Sequence, residues 1–380
     1  MTAGRRIVGN IALAVCSILL VLLVVEITLR WRPTLLGYSF ANGALSRYTS
    51  KAGGIHYADR GLRMHFMIPN HRVTMFANGY VWQHQTDALG FRNQRLHIPA
   101  DVVLLGDSVV YGHGVDFEDT LGHSLEQRSG LHVANLGHQG DCAFQEAYRL
   151  TASLPVFKPR FVIHVFTPND IEDLYAYLSP TAMEAFIAQP LDRITYPSRT
   201  DPARALAERE RRIRQRSLMK RAEEELYVAK MLRWLRSRYR EWRGSAGVAV
   251  AALPRGRRFD SADVSRDPAS VGWRYTEHAL AYMKHVAASA GARLIMAPVT
   301  EGRQLEILRN IAGRHAIDFI DTAPLFAGPS FLPNDGHLSP HGARVLADLI
   351  AAHMQPRADR PSPRPPDRRE GVGVKQSAAP

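Results

Sequence analysis

The chain has 380 residues, enough for one large domain or two ordinary ones, and a formal net charge of +12. Seventeen Lys/Arg against six Glu between Arg204 and Arg258 account for nearly all of that excess, so the basic character is local and no nucleic-acid partner is expected. Two cysteines, Cys16 inside an apolar run and Cys142 outside it, exclude a disulfide-built scaffold. No spacing of Cys, His or carboxylates resembles a zinc or calcium site, and Gly112 and Gly114 lack the Lys-Ser/Thr of a P-loop, so neither metal nor cofactor is expected.

Arg5-Arg6 precede an apolar stretch from Ile7 to Val25, about the length that crosses a bilayer as one helix. No small-x-small cleavage site follows; Trp31 stands at the far end between Arg30 and Arg32. The segment reads as an uncleaved signal anchor rather than a signal peptide. Flanking charge is balanced, so orientation has to come from function.

Residues 33–98 form a lead-in without a long helical period. Within it Arg72–Phe76 and Tyr80–His84 flank Asn78-Gly79, the strongest short hairpin signal. A Gly90-Phe91-Arg92 stretch closes the lead-in.

Val102-Val103-Leu104-Leu105 then reads as a buried strand, ended by Gly106 and followed by Asp107-Ser108. A serine at the carboxyl end of a parallel strand lies where open α/β sheets bind ligands. A helix over Asp119–Arg128 follows, then the strand Val133–Leu136, a helix over Cys142–Ser153 and the strand Phe161–Phe166. These strands end at Gly137-His138-Gln139-Gly140-Asp141 and at Thr167-Pro168-Asn169-Asp170. Alternation of this kind means a parallel sheet with right-handed crossovers.

Residues 180–272 interrupt the pattern. Ala205–Trp242 has helical spacing, with Leu218, Leu226, Leu232 and Leu235 on one side and arginines over most of the rest. Such an insertion is a lid, a membrane-surface helix, a partner helix or a solvated helix on its own domain. Gly244–Arg258 reads as a loop. The α/β pattern resumes with a helix over Trp273–Ala288, the strand Arg293–Ala297, a helix over Glu301–Arg314 and the strand Phe319-Ile320. Asn334-Asp335-Gly336-His337-Leu338-Ser339-Pro340-His341 opens a last helix to Met354; the Pro- and Arg-rich tail beyond is expected to be disordered.

Acyl transfer through serine needs a hydroxyl, a base, a group that holds the base, and donors for the oxyanion. Ser108, His337 and Asp335 can supply the first three. The Ser108 amide, Gly140 and Asn169 can supply the donors, since all follow the ends of neighbouring strands. Asp107 is expected to order its turn through backbone amides, Asn135 to shape a turn, and His113, His138 and His164 to pack or lie at the surface.

Gly106-Asp107-Ser108, Asn135-x-x-x-x-Gly140-Asp141, Asn169-Asp170 and Asp335-x-His337 together resemble, in order, the four blocks of the SGNH branch of the GDSL-type esterases and lipases. The likeness covers residues 99–171 and 273–350, and the anchored lead-in is similar to a subgroup of membrane-tethered bacterial members. It implies a three-layer α/β/α flavodoxin-like fold with a five-stranded parallel sheet. It also implies a Ser108–His337–Asp335 triad with Gly140 and Asn169 at the oxyanion. Two departures stand out: Thr167 occupies the usual glycine position of the third block, and the last block is Asp-x-His instead of Asp-x-x-His, which bears on Asp335 more than on His337. His341, four residues on and expected in the first helical turn, is a competing base.

The organisation expected is an anchor over 1–32, the lead-in over 33–98, the hydrolase domain in two parts over 99–179 and 273–355, a basic helical insertion over 180–272 and a tail over 356–380. The function expected is serine esterase action on acyl esters of a cell-envelope glycan or lipid. The protein would be single-pass in the inner membrane with its catalytic domain periplasmic, and the Arg204–Arg258 region would contact an anionic surface. The alternatives are an O-acyltransferase using the same triad and a non-catalytic glycan-binding domain.

Overall fold

Val102, Val103, Leu104 and Leu105 are all fully buried, which is what a central parallel strand covered on both faces requires. The computed structural model that contains this strand describes residues 3–51, 53–246 and 265–355. Four antiparallel strands come first: β1 (His56–Asp59) pairs with β2 (Met64–Met67), and β3 (Arg72–Ala77) with β4 (Tyr80–Gln85). The main sheet holds β5 (Val102–Leu105), β6 (Val133–Asn135), β7 (Phe161–His164), β8 (Arg293–Met296) and β9 (Asp318–Phe319), all parallel, in the order β6-β5-β7-β8-β9. This is the flavodoxin-like order, and its reversal point lies between β5 and β7.

The helices are α1 (Ala3–Trp31), α2 (Tyr38–Leu45), α3 (Ser108–Tyr111), α4 (Leu121–Ser129), α5 (Ala143–Phe157), α6 (Asp170–Tyr177), α7 (Pro180–Ile187), α8 (Pro202–Arg214), α9 (Leu218–Glu225), α10 (Tyr227–Ala246), α11 (Val271–Ser289), α12 (Gly302–Arg314) and α13 (Pro340–Met354). Val103 and Leu105 face a core shared with α5, α11 and α12, while Val102 and Leu104 face one shared with α4 and α13. The alternation of Cβ direction along one strand thus builds the three layers.

Boundaries differ from the sequence expectation mostly by a few residues, as helix and strand ends do. Larger differences also occur: α2, α6 and α7 are helices that the sequence reading does not give. The lead-in carries a second hairpin, β1–β2, whose turn Arg60–Arg63 has none of the usual Asn-Gly chemistry; Arg63 takes a left-handed φ of 55° there. The single long helix expected over Ala205–Trp242 is three helices. Ser217 caps α9 by accepting from the Lys220 amide, and Leu226 is extended between α9 and α10. From residue 247 on, the expected Gly244–Arg258 loop lies outside the described residues, as does the tail after Gln355.

Within the insertion α8 is packed on the lead-in. Arg209 donates to the carbonyls of His56 (3.1 Å), Lys51 (2.9 Å) and Gly54 (2.9 Å), and Ala205 is buried beside Tyr57, Met64 and Phe66. Helix α1 holds a span of 26 residues, Arg6–Trp31, whose most apolar 18-residue stretch has mean hydropathy 2.8 and none of it buried; it is long and apolar enough to cross a membrane.

Candidate active site

Gly106 lets the chain leave β5 and turn at once into α3. A Cβ there would stand 2.5 Å from the Val110 side chain and 2.9 Å from the Val165 carbonyl, so any other residue would force the turn apart. Asp107 caps the turn, its Oδ1 accepting from the Val109 amide at 2.8 Å. Ser108 opens α3, half-buried, at the carboxyl edge of the sheet.

His337 Nε2 stands 2.8 Å from Ser108 Oγ, and His337 Nδ1 is hydrogen-bonded to Asp335 Oδ1. The Asp335 side chain is 2% exposed and its other oxygen accepts from Asn78 Nδ2 at 2.9 Å. Burial alone would raise the Asp335 carboxyl; the bonds from His337 and Asn78 outweigh it and pull the pKa down to about 2. Asp335 is therefore a carboxylate, which fixes the proton on His337 Nδ1 and leaves Nε2 to accept from the Ser108 hydroxyl. Asp107 Oδ2 is a longer alternative acceptor for that hydroxyl, at 3.3 Å. His341, the competing base, lies exposed in the first turn of α13.

The expected oxyanion donors lie on the same sheet edge. Gly140 follows β6 with a φ of 73°, and Asn169 follows β7. Asn169 is engaged: Nδ2 donates to Asp173 Oδ2 at 2.7 Å and, more weakly, to Asp107 Oδ2 at 3.3 Å. Asp107 Oδ2 thus lies within reach of both Ser108 and Asn169. Thr167, the departure at the third block, has a use for its hydroxyl. Its Oγ1 lies 2.9 Å from Asp107 Oδ2, 2.8 Å from Asp170 Oδ1 and 3.0 Å from Asn169 Oδ1. One hydroxyl proton shared among these acceptors fastens the turn after β7 to the turn after β5.

Beneath this edge Glu146 and Asp170 are fully buried near Asp107, and burial followed by like charge pushes both carboxyls well up. His164 bonds Glu146 at 2.8 Å, and burial holds its pKa down at about 4. Asn135 ties the end of β6 to the turn after β5, donating to the Val110 carbonyl at 2.8 Å and accepting from the Gly137 amide at 2.9 Å.

Three features of the site escape sequence reasoning. Asn78 reads as a turn residue, which it is, with φ of 49°; only the fold brings its amide to Asp335. His113 stacks on His337 with ring centroids 4.1 Å apart and 16° between planes, and its Nε2 lies 3.9 Å from Asp335 Oδ2. Burial first, then the neighbouring His337, lowers the His113 pKa to about 3, so this imidazole is neutral. Arg92, from the Gly90-Phe91-Arg92 stretch, is buried and donates to the carbonyls of Gly112 and Val115, clamping the loop that carries His113. A buried cation spent on neutral carbonyls is a rare residue use.

Among the described residues a further His-carboxylate group, His97, Glu126 and His132, gathers near the opposite edge of the sheet. Its two imidazoles stack 3.8 Å apart and 9° from parallel, so one ion cannot lie in both ring planes.

No protein-family model matches the chain, and no curated protein matches it. Solved structures do. TesA is 12% identical, with 67% of this chain and 97% of that one covered at a TM-score of 0.37. A lipase/acylhydrolase from Enterococcus faecalis is 15% identical, covering 67% and 94% at a TM-score of 0.35. The psychrotrophic esterase EstA from Pseudoalteromonas sp. is 10% identical, covering 66% and 94% at a TM-score of 0.32. Those activities belong to those proteins.

Proposed function

We propose that the protein is a membrane-anchored serine esterase that cleaves acyl esters of a cell-envelope glycan or lipid. The observation that carries this reading is the row Ser108 Oγ, His337 Nε2, His337 Nδ1, Asp335, with the proton positions dictated by the Asp335 carboxylate. His337 takes the Ser108 proton as Oγ attacks the acyl carbonyl, and Asp335 stabilises the imidazolium so formed. The tetrahedral oxyanion is met by the amides of Ser108 and Gly140 and by Asn169 Nδ2. Of the two bonds Asn169 Nδ2 donates, the 3.3 Å one to Asp107 is the weaker and is the one given up. His337 then returns its proton to the leaving alcohol, giving an acyl-serine. Water, activated by the same imidazole, releases the acid and restores Ser108.

Helix α1 is read as the anchor, with Arg5 and Arg6 on the cytoplasmic side and residues from 33 on outside. Paired fusions of alkaline phosphatase and green fluorescent protein after Met354 test this: phosphatase activity without fluorescence is expected. An ester series of increasing acyl length, with and without a glycan acceptor, tests the reaction. Free acid released in either condition supports hydrolysis, and acyl transferred to the acceptor with no free acid replaces it with transfer.

A further inference from the structure

The end of the anchor helix is built into the insertion. Glu26 accepts from the backbone amides of Tyr227 (3.1 Å) and Val228 (2.8 Å), so a side chain of α1 supplies the N-terminal cap that α10 lacks locally. Arg30 donates to the Glu225 carbonyl at 3.1 Å, and Leu29 is buried with Phe40 and Ala44 against Tyr227, Met231 and Trp234. Helix α10 therefore starts level with residues 26–30, immediately after the apolar run Ile7–Val25. That is headgroup depth if α1 spans.

From there α10 shows two faces. Tyr227, Met231 and Trp234 pack on α1 and α2. Leu232 and Leu235, one turn apart, are 52% and 46% exposed, and in α9 Leu218 and Met219 are 83% and 75% exposed. Trp31, Leu35 and Tyr38 add exposed apolar surface at the same end of the anchor. Between Leu218 and Arg240 the chain carries seven Lys/Arg against three Glu. Apolar side chains beside arginines, on helices tied to the exit point of a span, fit an interface of acyl chains and anionic headgroups.

We infer that α9 and α10 lie on the surface of the bilayer that holds α1, with Leu218, Met219, Leu232 and Leu235 dipped into an anionic leaflet. The inference rests on the reading of α1 as a membrane anchor. The anchor is then a rigid mount, and it holds the Ser108 edge at a set orientation to the lipid surface. An acidic polymer would meet the arginines equally well but offers nothing to the leucines, and so the lipid is favoured.

The test uses the full chain in nanodiscs of phosphatidylcholine and phosphatidylglycerol at about 3:1. An environment-sensitive fluorophore is placed on the native Cys16, which is exposed on α1 while Cys142 is buried. In a Cys16→Ser background it is placed instead at Leu232→Cys or at Arg233→Cys. Spin-labelled lipid should quench the Cys16 and Leu232 positions, and aqueous iodide should quench the Arg233 position several-fold more than Leu232. Lipid quenching at Cys16 with Leu232 as open to iodide as Arg233 would overturn the surface placement and leave the anchor standing. Iodide access at Cys16 would overturn the anchor and the placement together. Protection of Leu232 that appears only on adding dextran sulfate would overturn it in favour of a polymer partner.

Discussion

Asn78 Nδ2 donates to Asp335 Oδ2 at 2.9 Å, joining the tip of the lead-in hairpin to a carboxylate 257 positions away in sequence. Asn78 is held in turn by Asn42 of α2, which donates to Asn78 Oδ1 at 2.6 Å and accepts from the Asn78 amide at 2.9 Å. A relay of amides thus runs from the anchor-proximal helix to the acid that orients His337.

Asn78→Gly keeps the turn and removes the side-chain amide, and with it both the bond to Asp335 and the one accepted from Asn42. Glycine accepts the same left-handed backbone, so Asn78→Gly should fold. A hydrogen bond to a charged group is worth about 1.5–3 kcal/mol. Loss of it is expected to lower kcat by roughly 10- to 100-fold with KM little changed. Wild-type kcat in Asn78→Gly would show that Asp335 is held without it.

Asn169 is predicted to act in the transition state. Asn169→Ala should lower kcat by about 10²–10³ while KM stays near wild type. Steady-state kinetics on a soluble acyl ester decide: a change confined to KM would make Asn169 a substrate-binding residue.

The ring of His113 is predicted to matter more than its nitrogens. His113→Phe keeps a stack on His337, whereas His113→Ala removes it. An aromatic pair is worth about 0.5–1.5 kcal/mol, so kcat/KM should fall roughly 2- to 10-fold in the Ala variant and less in the Phe variant. Equal losses in both would point instead to the 3.9 Å approach of His113 Nε2 to Asp335.

Stability should depend on pH through the buried histidines. Burial holds His84 and His113 down at about 3 and His164 at about 4, against an ordinary value of 6.5. The unfolded chain binds more protons than the folded one between those limits, so stability is present above the unfolded value and is lost as pH falls from about 6.5 toward 3–4. Asp335, lowered to about 2, adds a loss that begins as pH falls through the ordinary carboxyl value of 3.8. Glu146 and Asp170, pushed well up, work the other way over the same interval, so the histidine contribution is read by difference: in scanning fluorimetry of the detergent-solubilised protein, Tm should fall less between pH 6.5 and 4.5 in His113→Phe than in the wild type. Equal falls in both would contradict the neutral, buried assignment.

What was legible in the sequence follows from locality. Four apolar residues before Gly106-Asp107-Ser108 announce a buried strand and its turn, and Asn78-Gly79 announces a hairpin, because a few neighbouring residues determine both. Strands alternating with helices announce a parallel sheet, while its flavodoxin-like order is what the family resemblance implies. The triad geometry depends on contacts hundreds of positions apart, and there sequence offers only residue types: nothing near Asn78 or His113 tells of Asp335 or His337. The break between α9 and α10 is equally silent, since the cap that starts α10 is Glu26, some two hundred residues earlier. Thr167 shows the opposite case, a departure from a family pattern whose hydroxyl takes up bonds that a glycine could not make.

The central claim is that Ser108 is a nucleophile activated by His337. Its most direct measurement is covalent labelling by a fluorophosphonate probe, with the modified residue located by peptide mass spectrometry. The account predicts one adduct, on Ser108, in the wild type and in His341→Ala, and none in Ser108→Ala or His337→Ala, with all four proteins folded. Labelling that persists in Ser108→Ala, or that vanishes in His341→Ala while surviving in His337→Ala, would contradict it.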